Sequence, residues 1–451
     1  MAEASMTKPN IAVVGAGWAG LSAAIRLAQA GYPVHLFDRA REPGGRARAL
    51  DWNQDKLTQR IDNGQHIMIG AYRATLDLMR EIKGDADQGL QRLPLTLADT
   101  RGLWMRAARL PAPFHLLFAL SFARGLSLRS RIAMVRLIET AKASRWRLPQ
   151  DTSVTAWLAK ERQPAELIRR IWVPLCVAAL NTPASIASAQ MFLNVLRDSL
   201  GGTRSASDLL LPMTSLDAAL PYPAIEYLKK RGASIRLGCT VLAIHDAQHH
   251  CRLETRDGPE SFDCVVAAVP AHQISNLFGS TEGLAWATLR TQCDALTWQP
   301  IATCYLVFDR PIKLAAPMMA LAEDIAARRF GQWVFARGQL GGRADTLAVV
   351  VSADGPHLNL AQSDLSVAID QQLRSELGID AKLLGSRVIT EKRATFAAVP
   401  GLSRPDGTTP SPRVVLAGDY VACDYPATLE AAVMSGASAA ARLEASINAV
   451  D

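Results

Sequence analysis

A strand, a glycine-rich turn, a helix, a second strand and an acid follow one another within residues 11–38, and this run restricts the fold more than any other feature. Ile11-Ala-Val-Val14 is a short apolar run after Pro9, of the kind buried on both faces of a parallel sheet. It leads into Gly15-Ala-Gly17-Trp18-Ala19-Gly20, and LSAAIRLAQAG then carries a helical pattern that ends at Gly31. Val34-His-Leu-Phe37 reads as a second strand, closed by Asp38. In that setting GxGxxG is a dinucleotide-binding fingerprint. Gly15 permits the tight turn, Gly17 lets backbone approach a pyrophosphate, and Gly20 lets helix pack on strand. The helix start offers unpaired N–H groups to the phosphates. Asp38 is suited to ribose hydroxyls, and its charge disfavours a 2′-phosphate.

At roughly 100–200 residues per domain, 451 residues make more than one domain. Apolar residues at 49% with 20% charged exclude a disordered or collagen-like chain. Seven scattered cysteines without a CxxC exclude a disulfide scaffold and a zinc ribbon. His249-His250-Cys251 lies in a polar loop between strands, and no metal is expected there. The opening MAEASMTKPN has no basic stretch followed by an apolar one, so no leader is read and a cytoplasmic setting is expected. No run reaches the ~18 apolar residues of a spanning helix.

Positive charge is concentrated. Residues 101–150 hold ten basic side chains and one acid, a local +9 in a chain of net +7, so the remainder is slightly acidic. Within it, LPAPFHLLFALSFA (110–123) is apolar, short and broken by Pro111 and Pro113. Arginines around such a stretch suit an anionic membrane surface, with 101–147 facing it and the protein at the inner face of the cell membrane. The same pattern also fits a buried helix pair with a solvated basic face. No nucleic-acid module is recognisable.

Further motifs narrow the nucleotide. Gly44-Gly45-Arg46 follows soon after Asp38, and Arg413-Val-Val-Leu-Ala-Gly418-Asp419 is an apolar strand closed by Gly-Asp. Pro426-Ala-Thr428-Leu429-Glu then opens a helix of small residues. This set resembles the FAD-binding motifs of the amine oxidase and phytoene desaturase superfamily. The resemblance implies that Gly44 and Gly45 pass close to FAD, that Arg46 faces its pyrophosphate and that Asp419 meets the ribityl region. The last helix would point its positive end at the flavin. It also implies that Val241 holds the adenine through its backbone. Trp18, Ala19, Arg39, Gly64, Gln65, His66, Thr428 and Leu429 complete the implied cofactor wall.

Two longer blocks, DNGQHIMIGAYR (62–73) and WVPLCVAALNTPASIASAQMFLNVLRDSLGG (172–202), together with SDLLLPMTSL (207–216), resemble the hydroxysqualene dehydroxylases, the squalene-associated FAD-dependent desaturases of hopanoid synthesis. The resemblance runs along nearly the whole chain. It implies an α/β architecture: a Rossmann-type FAD-binding domain assembled from 1–75, 206–270 and 386–451, with an inserted α+β substrate domain at 76–205 and 271–385. It implies an enzyme that reduces hydroxysqualene, a polyisoprenoid, to squalene.

Such chemistry needs an acid to help water leave, and reduced flavin to deliver hydride to the allylic carbon. His66, Asp208 and Tyr222 are the candidate acids. Asp62 also lies in the near-flavin block, where it can equally hold a turn, and Asp208 could instead cap a helix before LLLPM. Asn181 and Thr182 could bind a hydroxyl or cap the turn at Pro183; Cys176 reads as a small buried hydrophobe. No second nucleotide fingerprint names an electron donor. A carotenoid-type desaturase, an amine or protoporphyrinogen oxidase, and a non-catalytic FAD-binding or lipid-presenting protein are the competing functions.

Overall fold

The structure, a computed structural model, describes residues 8–449 apart from 55, 56, 248 and 280, with backbone only at 54 and 57. The start of the opening segment read above as carrying no leader, residues 1–7, lies outside these residues.

Five parallel strands make the first sheet, in the order Ser234–Leu237, Val34–Asp38, Ile11–Val14, Cys264–Ala267, Val414–Leu416. The runs IAVV, CVVA and VVL are buried at every position, as parallel strands covered on both faces must be. Chain order reverses on either side of Ile11–Val14. At such a switch point the carboxyl ends of the strands leave a crevice in which open α/β sheets bind ligands.

Six helices frame the site: α1 (Trp18–Gln29), α2 (Arg73–Lys83), α3 (Phe114–Ser121), α4 (Leu128–Ala143), α5 (Ala189–Leu200) and α6 (Leu429–Asn448). Helices α1 and α6 share one apolar core with the first sheet, and Ser22 Oγ donates to the Val433 carbonyl between them at 2.8 Å. Side-chain N-caps start three of these six helices: Ser127 for α4, Ser188 for α5 and Thr428 for α6.

The second sheet is antiparallel, in the order Met318–Ala320, Trp333–Ala336, Thr346–Ser352, Trp298–Phe308, Leu383–Phe396. This moves a boundary. Residues 386–396, expected in the FAD-binding domain, pair with Trp298–Phe308 and belong to the second sheet. The polar Glu391-Lys392-Arg393 run obscures that strand in the sequence. The boundaries near 75 and 205 are bridged as well, since Leu209–Pro212 pairs with both Met68–Ile69 and Leu90–Leu93. The turn-rich 403–413 is more than a surface loop. Arg404 is buried, donates to the Tyr425 and Cys423 carbonyls and lies over the Phe396 ring at 4.9 Å.

Glu430 ties the two ends of the chain together. Its buried carboxylate accepts from the Ala74 N–H at 2.8 Å, the Thr75 N–H at 2.9 Å and the Thr75 hydroxyl at 2.7 Å. An acid at the start of α6 thus caps the first turn of α2, where amides lack partners inside their own helix. Glu430→Ala should cost about 1–3 kcal/mol, the penalty for stranding buried donors. The FAD-loaded variant should melt below wild type, with Glu430→Gln in between; equal melting temperatures for all three would contradict this role.

Candidate active site

The three glycines of the first turn do different things. Gly15 has φ +117°, and a Cβ added there would lie 2.3 Å from the Ala268 carbonyl oxygen, at the end of the neighbouring central strand. A Cβ on Gly20 would lie 1.8 Å from the Gly15 carbonyl. Both are demanded by the protein itself. Gly17 is not. Its φ is −74°, and an added Cβ would meet only the Gly45 Cα, at 3.9 Å. The space beside Gly17 is open cavity.

The second glycine pair is brought onto the first, with the Gly44 N–H donating to the Ala16 carbonyl at 2.8 Å. Asp38 braces both loops, its Oδ2 accepting from the Ala16 N–H at 2.6 Å and its Oδ1 from the Ala40 N–H at 2.7 Å. Each oxygen keeps acceptor capacity for a ribose hydroxyl.

A cavity of ≈ 930 Å³ begins at this turn. Apart from Gly20, which packs behind it, every residue assigned above to the cofactor wall borders it: Gly15, Gly17, Trp18, Ala19, Asp38, Arg39, Gly44, Gly45, Arg46, Gly64, Gln65, His66, Val241, Gly418, Asp419, Thr428 and Leu429. It continues into an apolar lobe between Leu97, Met105, Leu116, Leu120, Met134, Ile138, Phe192 and Leu196.

Arg46 is more tightly engaged than its sequence position suggests. It pairs with Asp419 at 2.5 Å and donates to the Ala394 carbonyl at 2.7 Å. Arg393, on the same second-sheet strand, also borders the cavity and went unrecognised in the sequence, where nothing marks it. His272 shows how charge gathers here: burial, then Arg393, Arg46 and Arg39, push its imidazole below its ordinary value. All three arginines border the cavity, and cations there suit a pyrophosphate.

The proposed acids separate. His66 borders the cavity, with Nδ1 3.0 Å from the Gly64 carbonyl. Burial pushes its pKa down, so the ring is neutral and Nδ1, facing a carbonyl, carries the hydrogen. Tyr222 does not border the cavity. It is partly exposed, beside Arg60, Glu42 and Asp217, while Ala224, Ile225 and Leu228 of the same helix turn into the core. Asp208 is buried but also absent from the cavity wall, where its neighbours Ser207 and Leu209 stand. Its Oδ2 lies 3.6 Å from Arg92, and burial raises its carboxyl. Nor does it cap a helix, since Leu209–Pro212 is a strand.

Asp62 holds a turn, accepting from the Leu216 N–H at 2.8 Å. Asn181, at φ 46°, donates to Thr395 Oγ1 and the Pro300 carbonyl and accepts from Ala353, so it stitches a helix end to the second sheet. Thr182 donates to the Leu180 carbonyl and accepts from Ala398. Cys176 is buried, its thiol pushed up to about 12. Among the described residues, no three His, Cys, Asp or Glu side chains gather as metal ligands.

One titratable pair on the wall has no separate signature in the sequence. Tyr425 donates to Asp198 Oδ2 at 2.5 Å, and both border the cavity beside the start of α6. Burial would raise Asp198, but Arg197 and the Tyr425 hydroxyl outweigh it and hold the carboxyl below its ordinary value. Burial and that carboxylate push Tyr425 up.

The model of the flavin-containing amine oxidoreductases matches residues 18–443. The chain belongs to that family. A hydroxysqualene dehydroxylase from Sinorhizobium fredii is 28% identical over 450 residues, covering 96% of this chain and 97% of its own. A 15-cis-phytoene desaturase from Synechococcus elongatus is 25% identical, over 95% and 94%. Among solved structures, an oxidoreductase from Methanosarcina mazei superposes with a TM-score of 0.71 at 16% identity, over 95% of this chain and 99% of that one. This likeness is one of fold.

FAD is the family's cofactor, and the residues present fit it. The missing Cβ of Gly17 leaves the approach a pyrophosphate needs. Buried polar atoms at the wall lack protein partners: the Tyr420 hydroxyl, His272 Nδ1 and Trp333 Nε1. Gly17→Leu should therefore fold and lose FAD, because its side chain enters empty space rather than protein. Flavin absorbance per mole of folded protein, with circular dichroism, checks this; a Gly17→Leu protein that keeps stoichiometric FAD would refute the placement.

Asp62 adds a pH signature. Burial raises its carboxyl from 3.8 to about 6. The folded state thus holds the proton more tightly than the unfolded chain. That contribution is complete below about pH 4 and disappears as pH rises through 6, an effect of up to ~3 kcal/mol. Asp62→Asn keeps an acceptor for Leu216 and removes the charge. Between pH 5 and pH 7.5 its melting temperature should fall less than that of wild type, and parallel curves would count against the buried charge.

Proposed function

We propose that the chain reduces hydroxysqualene to squalene, taking hydride from reduced FAD and releasing water at an anionic membrane surface. The observation that supports this best is one cavity that starts at the dinucleotide turn and continues into an apolar lobe without a break. The apolar side chains of that lobe suit a long polyene. The likeness to the Sinorhizobium dehydroxylase along nearly the full length of both chains points the same way.

The bound, reduced flavin supplies the hydride. The chain must exclude water, hold the hydroxyl and tolerate positive charge on the allylic carbon as the C–O bond opens. Hydride plus one proton converts the alcohol to hydrocarbon and water, so electrons and atoms balance.

Apolar residues of α3, α4 and α5 keep bulk water from the reacting carbon. His66, neutral with Nδ1 bound to Gly64, has Nε2 as an acceptor, which orients a hydroxyl rather than protonating it. Asp198 places a fixed negative charge on the wall, suited to offsetting a developing cation. Tyr425 keeps its proton at every physiological pH and is the proton-bearing hydroxyl beside that charge.

Anaerobically reduced enzyme in heavy water should convert hydroxysqualene to squalene in a single turnover, with deuterium at the carbon that lost oxygen. Tyr425→Phe, Asp198→Asn and His66→Ala should slow flavin reoxidation, typically by ~10²–10⁴-fold for the proton donor. Tyr222→Phe and Asp208→Asn, which lie off the cavity wall, should keep wild-type rates. Reduced enzyme that leaves hydroxysqualene unchanged, while oxidised enzyme adds a double bond to a polyene, would make the chain a desaturase instead.

A further inference from the structure

Seven of the sixteen large apolar side chains that are exposed among the described residues fall within residues 110–132. They sit on α3 and α4 and the turns beside them: Leu110, Phe114, Leu117, Phe118, Phe122, Leu128 and Ile132. Phe122 and Leu128 are 68% and 71% exposed, and the Phe118 and Phe122 rings pack together at 4.4 Å. A folded protein rarely leaves such a cluster in water without a use for it.

The other faces of the same two helices are cavity wall. Leu116 and Leu120 of α3 face Met134, Val135 and Ile138 of α4 across the apolar lobe. Leu117 belongs to both surfaces, exposed outside and bordering the cavity within. Pro113 and Glu139 are likewise both exposed and part of the cavity lining, so the cavity reaches the exposed face along this hairpin.

The hairpin is firmly built. Arg131 donates to the carbonyls of Ser121, Ala123 and Leu126, closing the end of α3. It is therefore a structural arginine, unlike its exposed neighbours. Arg170, paired with buried Asp99 at 2.8 Å, holds the turn through the Gly125 carbonyl at 2.6 Å. Glu166 binds Ser127 and Ser130 at the start of α4.

Around the apolar face lie exposed Arg109, Arg124, Arg129 and Arg136. Lys142 is paired with Glu139, but these four arginines have no carboxylate partner among the described residues. Unpaired cations ringing an apolar face complement anionic lipid headgroups over acyl chains. No described helix is long and apolar enough to cross a membrane. The eight residues of α3 span only ~12 Å, which suits insertion into one leaflet.

We propose that the α3–α4 hairpin inserts into an anionic bilayer and that the cavity opens laterally into it beside Leu117, so that hydrocarbon passes from lipid to cavity without crossing water. The identity of the hydrocarbon rests on the dehydroxylase reading; the position of the opening does not.

The FAD-loaded protein tests this in two ways. A bimane label on Phe122→Cys should be quenched by doxyl lipids in vesicles with about 30% phosphatidylglycerol, and far less in neutral vesicles. A label on Leu242→Cys, exposed on the strand Val241–Asp246, should not be quenched in either. The double variant Phe118→Ser/Phe122→Ser, at positions off the cavity wall, should lose about tenfold or more in turnover of vesicle-borne hydroxysqualene. In detergent it should match wild type.

Wild type inactive in detergent would defeat the dehydroxylase reading, while the quenching experiment would still decide insertion. An unquenched Phe122 label would overturn the proposal. So would equal losses in vesicles and detergent, or a dimer in solution that the Phe variants dissociate, which would make this face a contact between copies of the chain.

Discussion

The ion pair between Arg46 and Asp419 joins residues 373 positions apart, and the Arg46 bond to the Ala394 carbonyl brings in the second sheet. Neither glycine loop forms a nucleotide site alone. The first turn supplies amides, the second supplies close backbone, and the Gly418-Asp419 strand end borders the cavity beside Arg46. Partly buried ion pairs contribute little net stability, because desolvation offsets much of the attraction. Their directional hydrogen bonds can still fix which surfaces meet. Here they join the edge strand of the second sheet to a strand end of the first, beside the cavity.

The same logic separates local from long-range information in the chain. The Ile11–Asp38 unit was legible because its periodicity, glycines and acid are contiguous and each has its own steric reason. The FAD pieces at 44–46 and 418–419 were legible as motifs, but their mutual contact was not. Glu430 capping α2 leaves no local trace, since the capped amides lie 355 positions away. Tyr222 was misplaced for a related reason. A helix near a family-like block offers several faces, and packing against the sheet turned this residue outward. Leu383–Phe396 hid behind its charged segment, whose side chains are polar because they border a site for a charged cofactor.

Asp208 and Asp198 show why residue type alone cannot identify a catalytic acid. Both are aspartates at the edge of family-like blocks. Burial dominates at Asp208 and raises its carboxyl, whereas Arg197 and Tyr425 outweigh burial at Asp198 and keep it ionised. Only Asp198 borders the cavity. The difference comes from α5, which presents Phe192, Val195, Leu196 and Ser199 to the cavity at helical spacing, with Asp198 at the edge of that face.

The apolar lobe also constrains how binding energy can be used. Moving a long polyene from water into protein gains roughly 0.8 kcal/mol per buried CH₂. Moving it from acyl chains gains almost none of that, because lipid is already apolar. A substrate drawn from a bilayer must therefore be held by shape and by its hydroxyl, through groups such as His66 and the Tyr425–Asp198 pair. Once the oxygen leaves as water, those bonds have no partner on the hydrocarbon. The product then loses the interactions that distinguished it from ordinary lipid, and its return to the bilayer follows from the same physics that admitted the alcohol.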